Sequence, residues 1–106
     1  MKLVTAIIRP SKLDDVVDAL STLGVDKLTV TEARGFGGHE GRAYTGASPA
    51  PATVIEVAVP SDRLQRVIDA LRAAALTGRA GDGKIFVTDL ARAVRIRNGE
   101  SGDEAL

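Results

Sequence analysis

A strand followed by an amphipathic helix occurs twice in this chain, and the duplication limits the possible folds more than any other feature. The letters Val16-Val17-Asp18-Ala19-Leu20 match Val67-Ile68-Asp69-Ala70-Leu71, 51 residues later. Apolar residues recur in both halves at i, i+3, i+4 and i+7, namely Leu13, Val16, Val17 and Leu20, then Leu64, Val67, Ile68 and Leu71. This spacing predicts two helices, each with one apolar face.

Strand-like segments flank both helices. They are Lys2 to Ile8, Leu28 to Ala33, Thr53 to Val59, Ile85 to Val87 and Ala93 to Arg97. A doubled βαβ unit predicts an α+β, ferredoxin-like fold with an antiparallel sheet. Because both helices lie on one face of such a sheet, the other face needs cover, and a partner subunit is the simplest cover. Ser11 and Asp14 resemble a capping box at the start of the first helix.

Length and composition exclude several classes of protein. The 106 residues predict a single domain, 1–106. Fourteen basic residues balance fourteen acidic ones and only three residues are aromatic, which argues against nucleic acid as a partner. Cysteine is absent and His39 is the only histidine, so a disulfide framework, a thiol nucleophile and a Cys/His metal cluster are excluded. Without a membrane-spanning run or a signal-peptide pattern, we expect a cytoplasmic protein.

A long segment between the halves lacks periodicity. It runs from Gly38 to Ala52 and is rich in Gly, Pro, Ser and Ala, which predicts a functional or flexible loop over residues 38–53. The tail, residues 101–106, is polar and is expected to be mobile. His39 and Glu40 could form an acid/base pair, although an exposed loop histidine is the more common case. Since no nucleophilic triad or carboxylate pair is present, we expect no enzyme.

Two glycine-rich segments could approach a ligand. Gly78-Arg79-Ala80-Gly81-Asp82-Gly83-Lys84 matches the start of a P-loop, but Ile85 replaces the required Ser or Thr and a strand follows. An anion nest with Lys84 beside it remains possible, and so does a plain helix-to-strand turn. The segment Gly35-Phe36-Gly37-Gly38 fails the dinucleotide-binding pattern, yet its glycines permit close approach of a ligand.

Two arginines form a further candidate anion site. Arg95 and Arg97 are two residues apart on the predicted last strand, so both would point to one face. Their planar forks suit phosphate. The alternative is a solvated sheet edge, or pairing with acids such as Asp89.

Taken together, these residues resemble the PII signal-transduction family. The matching stretches are Met1 to Pro10, Lys12 to Val16, Leu28 to Glu32, Gly35 to Gly37, Thr77-Gly78, Gly81 to Val87 and Val94 to Glu100. They cover nearly the whole chain outside Gly38 to Ala52.

The resemblance implies a homotrimer that binds ATP, ADP or AMP in clefts between subunits. A long loop, the T-loop, would then bind or release a membrane transporter or a carbon- or nitrogen-assimilation protein. No resident cofactor and no membrane insertion are implied. The nucleotide-binding residues implied are Ile7, Thr29, Gly35, Phe36, Gly37, Gly38, Arg79, Gly81, Asp82, Gly83 and Lys84, with Arg95 and Arg97 from the neighbouring subunit. Arg42 and Tyr44 would contact the partner.

The sequence departs from the family pattern in three ways, and the first is the region between Gly41 and Ile55, which is about six residues shorter than usual. The family's glutamine, which helps hold magnesium and 2-oxoglutarate, is His39 here. The lysine that pairs with 2-oxoglutarate falls at Ala52. We therefore expect a nucleotide-sensing regulator with another second effector, such as bicarbonate, near His39, Gly41 and Arg42.

Three alternatives stay open at this point. One is a conventional nitrogen-regulatory PII protein that senses ATP, ADP and 2-oxoglutarate. Another is a docking module whose nucleotide site is vestigial. The third is a small ATP hydrolase that uses the same cleft, for which the sequence provides no clear base.

Overall fold

Four strands and two α-helices make up the fold in the computed structural model, which describes residues 1–36 and 49–106. They are β1 (Lys2–Ile8), α1 (Leu13–Thr22), β2 (Thr29–Gly35), β3 (Ala50–Val59), α2 (Leu64–Ala75) and β4 (Lys84–Asp89). Short 3-10 turns cover Pro10–Lys12, Ser61–Arg63 and Gly102–Ala105. Neither α-helix, nor any other helix of the described ranges, is long and apolar enough to cross a membrane.

The strands form one sheet in the order β2-β3-β1-β4, and every neighbouring pair is antiparallel. Both βαβ units are split, since β3 separates β1 from β2 and β1 separates β3 from β4. This arrangement confirms the predicted ferredoxin-like α+β fold.

The core lies between the helices and one face of the sheet. Alternate residues of β1 and β3 face it and are buried: Val4, Ala6 and Ile8, and Ile55, Val57 and Val59. The repeated helical letters supply the other side, because Val16, Leu20, Val67 and Leu71 are all at most 1% exposed. Leu13 and Leu64 pack at its margin. The apolar periodicity therefore identified the correct helix faces.

The opposite face of the sheet is only half-covered. Leu3, Thr5 and Ile7 of β1 and Val54 of β3 are neither buried nor fully exposed in the single chain. Phe86 of β4 is 47% exposed. An apolar face of this kind fits the subunit interface that the sequence predicts.

Helix α1 does not begin as the sequence predicts. Ser11 lies inside a 3-10 turn, and Lys12 occupies the N-cap position without a side-chain cap. The capping-box prediction is therefore wrong. Asp14 and Asp15 still lie in the first turn of α1, where negative charge is favourable.

The prediction of a last strand from Ala93 to Arg97 is also wrong. Val94 forms only an isolated bridge with Ser101, and residues 96–98 form a turn. The Arg95 amide donates to the Glu100 carbonyl at 2.8 Å, and the Gly99 amide donates to the Arg95 carbonyl at 2.8 Å. Gly99 has φ +74°, a value that favours glycine, so Asn98-Gly99 reverses the chain before a strand can extend.

The structure also differs from the sequence-based prediction in the two segments predicted to be flexible, the loop and the C-terminal tail. β3 begins at Ala50, so Ala50 to Thr53 belong to a strand and not to the loop predicted over 38–53. The tail contains a 3-10 turn from Gly102 to Ala105. Residues 37–48 of the loop lie outside the described residues.

Candidate functional site

A cleft opens at one end of the sheet, where four strand ends meet. Register places Ile7 opposite Lys84, Ile8 opposite Thr53 and Gly35 opposite Ala50, so β1 and β2 end where β3 and β4 begin. The cleft has a volume of about 910 Å³. Its lining comes from three segments: Ile7 to Ser11, Gly35-Phe36 with Ala50 to Ala52, and Arg79 to Gly81 with Gly83 and Lys84. A small molecule of nucleotide size fits such a volume.

The glycine-rich segment forms the turn between α2 and β4. It leads into a strand, which agrees with the rejection of a P-loop. At Gly83 the chain crosses β1 so closely that a Cβ atom there would lie 1.7 Å from the Ile7 carbonyl oxygen. Gly83 also has φ +98°. Only glycine satisfies both conditions without displacing backbone.

Asp82 occupies part of the nest that the sequence predicts for an external anion. Its carboxylate accepts hydrogen bonds from the Thr77 and Gly78 amides, both at 2.9 Å, and from the Thr77 hydroxyl. Arg9 Nε donates to the same carboxylate at 3.0 Å. These two amides are therefore used by the chain's own anion. Asp82 does not line the cleft, whereas its neighbours Gly81 and Gly83 do.

The hydrogen bonds of Asp82 favour its charged form. The Thr77 hydroxyl contributes most, followed by the Thr77 amide and Arg9, and together they hold the pKa of the Asp82 carboxyl well below its usual range. The Lys2 ammonium likewise lowers the pKa of Asp89, at the far end of β4.

We expect the lowered pKa of Asp82 to make stability depend on pH. Its contribution is fully present above the ordinary carboxyl pKa of about 4, and is lost as pH falls through the folded value. The melting temperature of Asp82→Asn should therefore fall less steeply between about pH 5 and pH 3 than that of the wild type. Thermal denaturation across this range measures both slopes.

The matched control for that measurement is Asp89→Asn. Asp89 is 84% exposed and, among the residues that the structure describes, pairs with Lys2 alone, so its removal should change the slope less. Equal slopes in wild type and Asp82→Asn would contradict the role given to Asp82.

Three cationic side chains of the described residues line the cleft, and they differ in whether a carboxylate pairs with them. Arg79 and Lys84 line it, and within the described residues neither has a carboxylate within ion-pair distance. Arg9 also lines it but is paired with Asp82. Sequence analysis did not assign Arg9 a role. Its position between β1 and Pro10 is visible in the sequence, but its proximity to a turn 71 to 73 residues away is not.

Arg95 and Arg97 lie away from the cleft of their own chain. Arg95 Nη2 donates to the Glu104 carbonyl at 2.7 Å, and Nη1 lies 4.0 Å from the Glu100 carboxylate. Arg97 lies in the exposed turn 96–98. The predicted common strand face does not exist, and Asp89, the suggested partner, pairs with Lys2 instead. Within one chain these arginines cannot complete the cleft.

The remaining predicted site residues divide into two groups. Ile7, Gly35 and Phe36, which the resemblance assigns to the nucleotide site, line the cleft. Thr29 begins β2 at the end opposite the cleft, so one chain does not bring Thr29 and Ile7 together. Gly37, Gly38, His39, Gly41, Arg42 and Tyr44 lie outside the described residues. Over residues 1–36 and 49–106, no cluster of acidic or histidine side chains could hold a metal ion.

Comparison with known proteins identifies the family of the chain. The family model "Nitrogen regulatory protein P-II" matches residues 1–100. The nitrogen regulatory protein GlnK of Escherichia coli K12 is 52% identical and aligns over the whole of both chains. The nitrogen regulatory proteins P-II of Bradyrhizobium diazoefficiens and P-II 1 of E. coli K12 are 50% and 46% identical, also over the whole of both chains.

The chain therefore belongs to the PII family of signal-transduction proteins. The family resemblance drawn from the motifs is confirmed, and membership makes the chain a regulatory protein, not an enzyme. The alignment with GlnK covers 112 positions, six more than the 106 residues here. This difference equals the shortening predicted between Gly41 and Ile55.

Proposed function

We propose that the protein is a cytoplasmic nitrogen regulator that binds adenine nucleotides in clefts between the subunits of a homotrimer. The observation that carries this proposal is the cleft of about 910 Å³ where Gly81, Gly83 and Lys84 meet the end of β1. Backbone amides at glycine and a nearby ammonium group are suited to bind phosphate. The similarity to GlnK and P-II proteins supports the nitrogen-regulatory part.

The charge distribution supports a site shared between subunits. One chain supplies Arg79 and Lys84 to the cleft, while Arg95 and Arg97 lie elsewhere. A di- or triphosphate carries more negative charge than two cations neutralise. If the half-covered face of the sheet packs against a neighbour, arginines from that neighbour can complete the cleft. The family resemblance implies this role for Arg95 and Arg97.

The direct test is calorimetric titration of ADP into the wild type and into Lys84→Met. We expect wild-type binding with an affinity loss of about tenfold or more in the variant, since one charge-assisted hydrogen bond contributes about 1.5 to 3 kcal/mol. Lys27→Met is the matched control, because Lys27 is an exposed lysine in the loop before β2. Undiminished binding in Lys84→Met would refute the assigned phosphate site.

The relatives favour the conventional nitrogen regulator over the bicarbonate-linked type that the sequence suggested. Ala52 nevertheless lines the cleft where the family pattern has the lysine that pairs with 2-oxoglutarate. An alanine methyl cannot neutralise a carboxylate. The proposal is therefore a nucleotide sensor of the nitrogen-regulatory type with a weak response to 2-oxoglutarate.

We expect Ala52→Lys to strengthen this response. Ala52 is half-buried beside the cleft, and a lysine there can place its ammonium group near a bound dicarboxylate. The affinity for 2-oxoglutarate in the presence of MgATP should rise about tenfold. Ala73→Lys is the control, because Ala73 is exposed on α2 and does not line the cleft. A strong 2-oxoglutarate response in the wild type would contradict the role assigned to Ala52, and added bicarbonate tests the other candidate effector.

The output of this regulator is binding or release of another protein. The family pattern implies a membrane transporter or an assimilation enzyme, with Arg42 and Tyr44 in contact with it. In the docking-module alternative, a well-folded trimer would bind such a partner without measurable nucleotide affinity, so the ADP titration distinguishes the two.

A further inference from the structure

Arg9 connects the end of β1 to the turn that lines the cleft. Its Nε donates to Asp82 Oδ1 at 3.0 Å, and its Nη2 donates to the Ala80 carbonyl at 2.6 Å. The guanidinium also lies against Gly81, where an added Cβ would meet Nη2 at 3.3 Å. One planar side chain thus contacts three consecutive residues of the turn.

Asp82 extends this contact to the start of the turn. Its second carboxylate oxygen accepts the amides of Thr77 and Gly78, while the first accepts Arg9 and the Thr77 hydroxyl. The chain from Thr77 to Asp82 is therefore closed on itself and attached to β1 through Arg9. Both side chains are largely shielded, at 28% exposed for Arg9 and 21% for Asp82.

The charge of Arg9 is already balanced. Because its carboxylate partner lies 3.0 Å away, the pair contributes little net field to the cleft. Lys84 and Arg79 have no such partner among the described residues. Arg9 is thus suited to set the shape of the turn, while the unpaired cations attract the anion.

We propose that Arg9 is a positioning residue for nucleotide binding, which acts through Asp82 and the Ala80 carbonyl to fix the turn that receives the phosphates. This inference rests on the proposed function. It requires an arginine at this position, because a lysine has one nitrogen and cannot span two acceptors in a planar fork.

The experiment compares ADP affinity in wild type, Arg9→Met, Arg9→Lys, Asp82→Asn and the double variant Arg9→Met/Asp82→Asn. We expect about a tenfold loss in Arg9→Met and only partial recovery in Arg9→Lys. The double variant should lose no more than Arg9→Met alone, because both changes release the same turn. Lys12→Met is the matched control, since Lys12 pairs with Asp15 at 3.7 Å and does not line the cleft.

Two further readouts separate positioning from direct phosphate contact or general loss of structure. Adenosine, measured by displacement of ADP, should bind equally to wild type and Arg9→Lys, because it has no phosphate. The dependence of ADP affinity on salt should be unchanged in Arg9→Lys and in Arg9→Met/Asp82→Asn, which keep the net charge of the pair, whereas it should weaken in Lys84→Met.

Each outcome has one meaning. If the wild type does not bind ADP, the proposed function fails. If it binds ADP and Arg9→Met and Arg9→Lys both keep wild-type affinity, the positioning role fails while the proposed function stands. Additive losses in the double variant, with a weaker salt dependence there than in the wild type, would overturn the proposal in favour of a direct phosphate contact. Thermal melts identify a variant that fails to fold. If Arg9→Met fails to fold, the ADP affinity of Arg9→Lys decides whether the positioning role stands.

Discussion

Gly83→Ala should destabilise the protein by about 3 to 5 kcal/mol and abolish ADP binding. The new Cβ would lie 1.7 Å from the Ile7 carbonyl oxygen and 2.7 Å from its carbon, both backbone atoms. Neither atom can move without separating β1 from β4, which are paired at Ile7 and Lys84. Urea denaturation measures the change in the free energy of unfolding.

Gly78→Ala is the matched control for this substitution. Gly78 has φ +82°, so alanine is strained there as well, but no atom lies within 4 Å of the added Cβ. We expect a loss of about 1 kcal/mol from conformational strain alone. Equal losses in the two variants would show that the close approach at Gly83 is not what requires glycine.

The second large effect concerns the cations of the proposed shared site. Arg95→Ala/Arg97→Ala should lower ADP affinity about a hundredfold, because two charge-assisted contacts are lost. The fold should be retained, since Arg97 is exposed and Arg95 contacts only the C-terminal segment of its own chain. Calorimetric titration with ADP measures the loss, and a melting curve checks the fold.

Mixed trimers then show whether the site is shared between subunits. In the proposed homotrimer, Lys84→Met removes the cation that one subunit gives to a cleft, and the double arginine variant removes those that its neighbour gives. When the two variants are unfolded and refolded together, every mixed ring contains one cleft with all three cations intact. Sites with wild-type affinity for ADP should return in the mixture, whereas each variant alone should bind ADP about tenfold to a hundredfold more weakly. No recovery from verified mixed trimers would place the three cations in one subunit.

The local sequence pattern was sufficient to predict two helices packed on one face of a sheet. The repeat of Val16 to Leu20 and Val67 to Leu71 identified both helices and their buried faces, because apolar periodicity directly reflects burial. The sequence pattern failed where a turn or a tertiary contact determines the local structure. Asn98-Gly99 reverses the chain within a segment that has the composition of a strand, and a 3-10 turn displaces Ser11 from the N-cap.

The candidate site was predicted less completely than the fold. The glycines and Lys84 are visible as a motif, and the structure places Gly81, Gly83 and Lys84 in the cleft. Asp82 accepts hydrogen bonds from Thr77 and Gly78, five and four residues before it, and the glycine-rich motif alone did not distinguish this internal anion from an external one. The contribution of Arg9 depends on contacts with residues 71 and 73 positions away, which no local signal reports.

The most direct test of the central claim is a crystal structure of the protein with ADP. We predict a trimer with ADP in each cleft, its phosphates against Gly81, Gly83 and Lys84, and Arg95 and Arg97 of the neighbouring subunit within hydrogen-bond distance. In that structure Arg9 should keep its contacts with Asp82 and Ala80. ADP bound elsewhere, or clefts built from a single chain, would contradict the account.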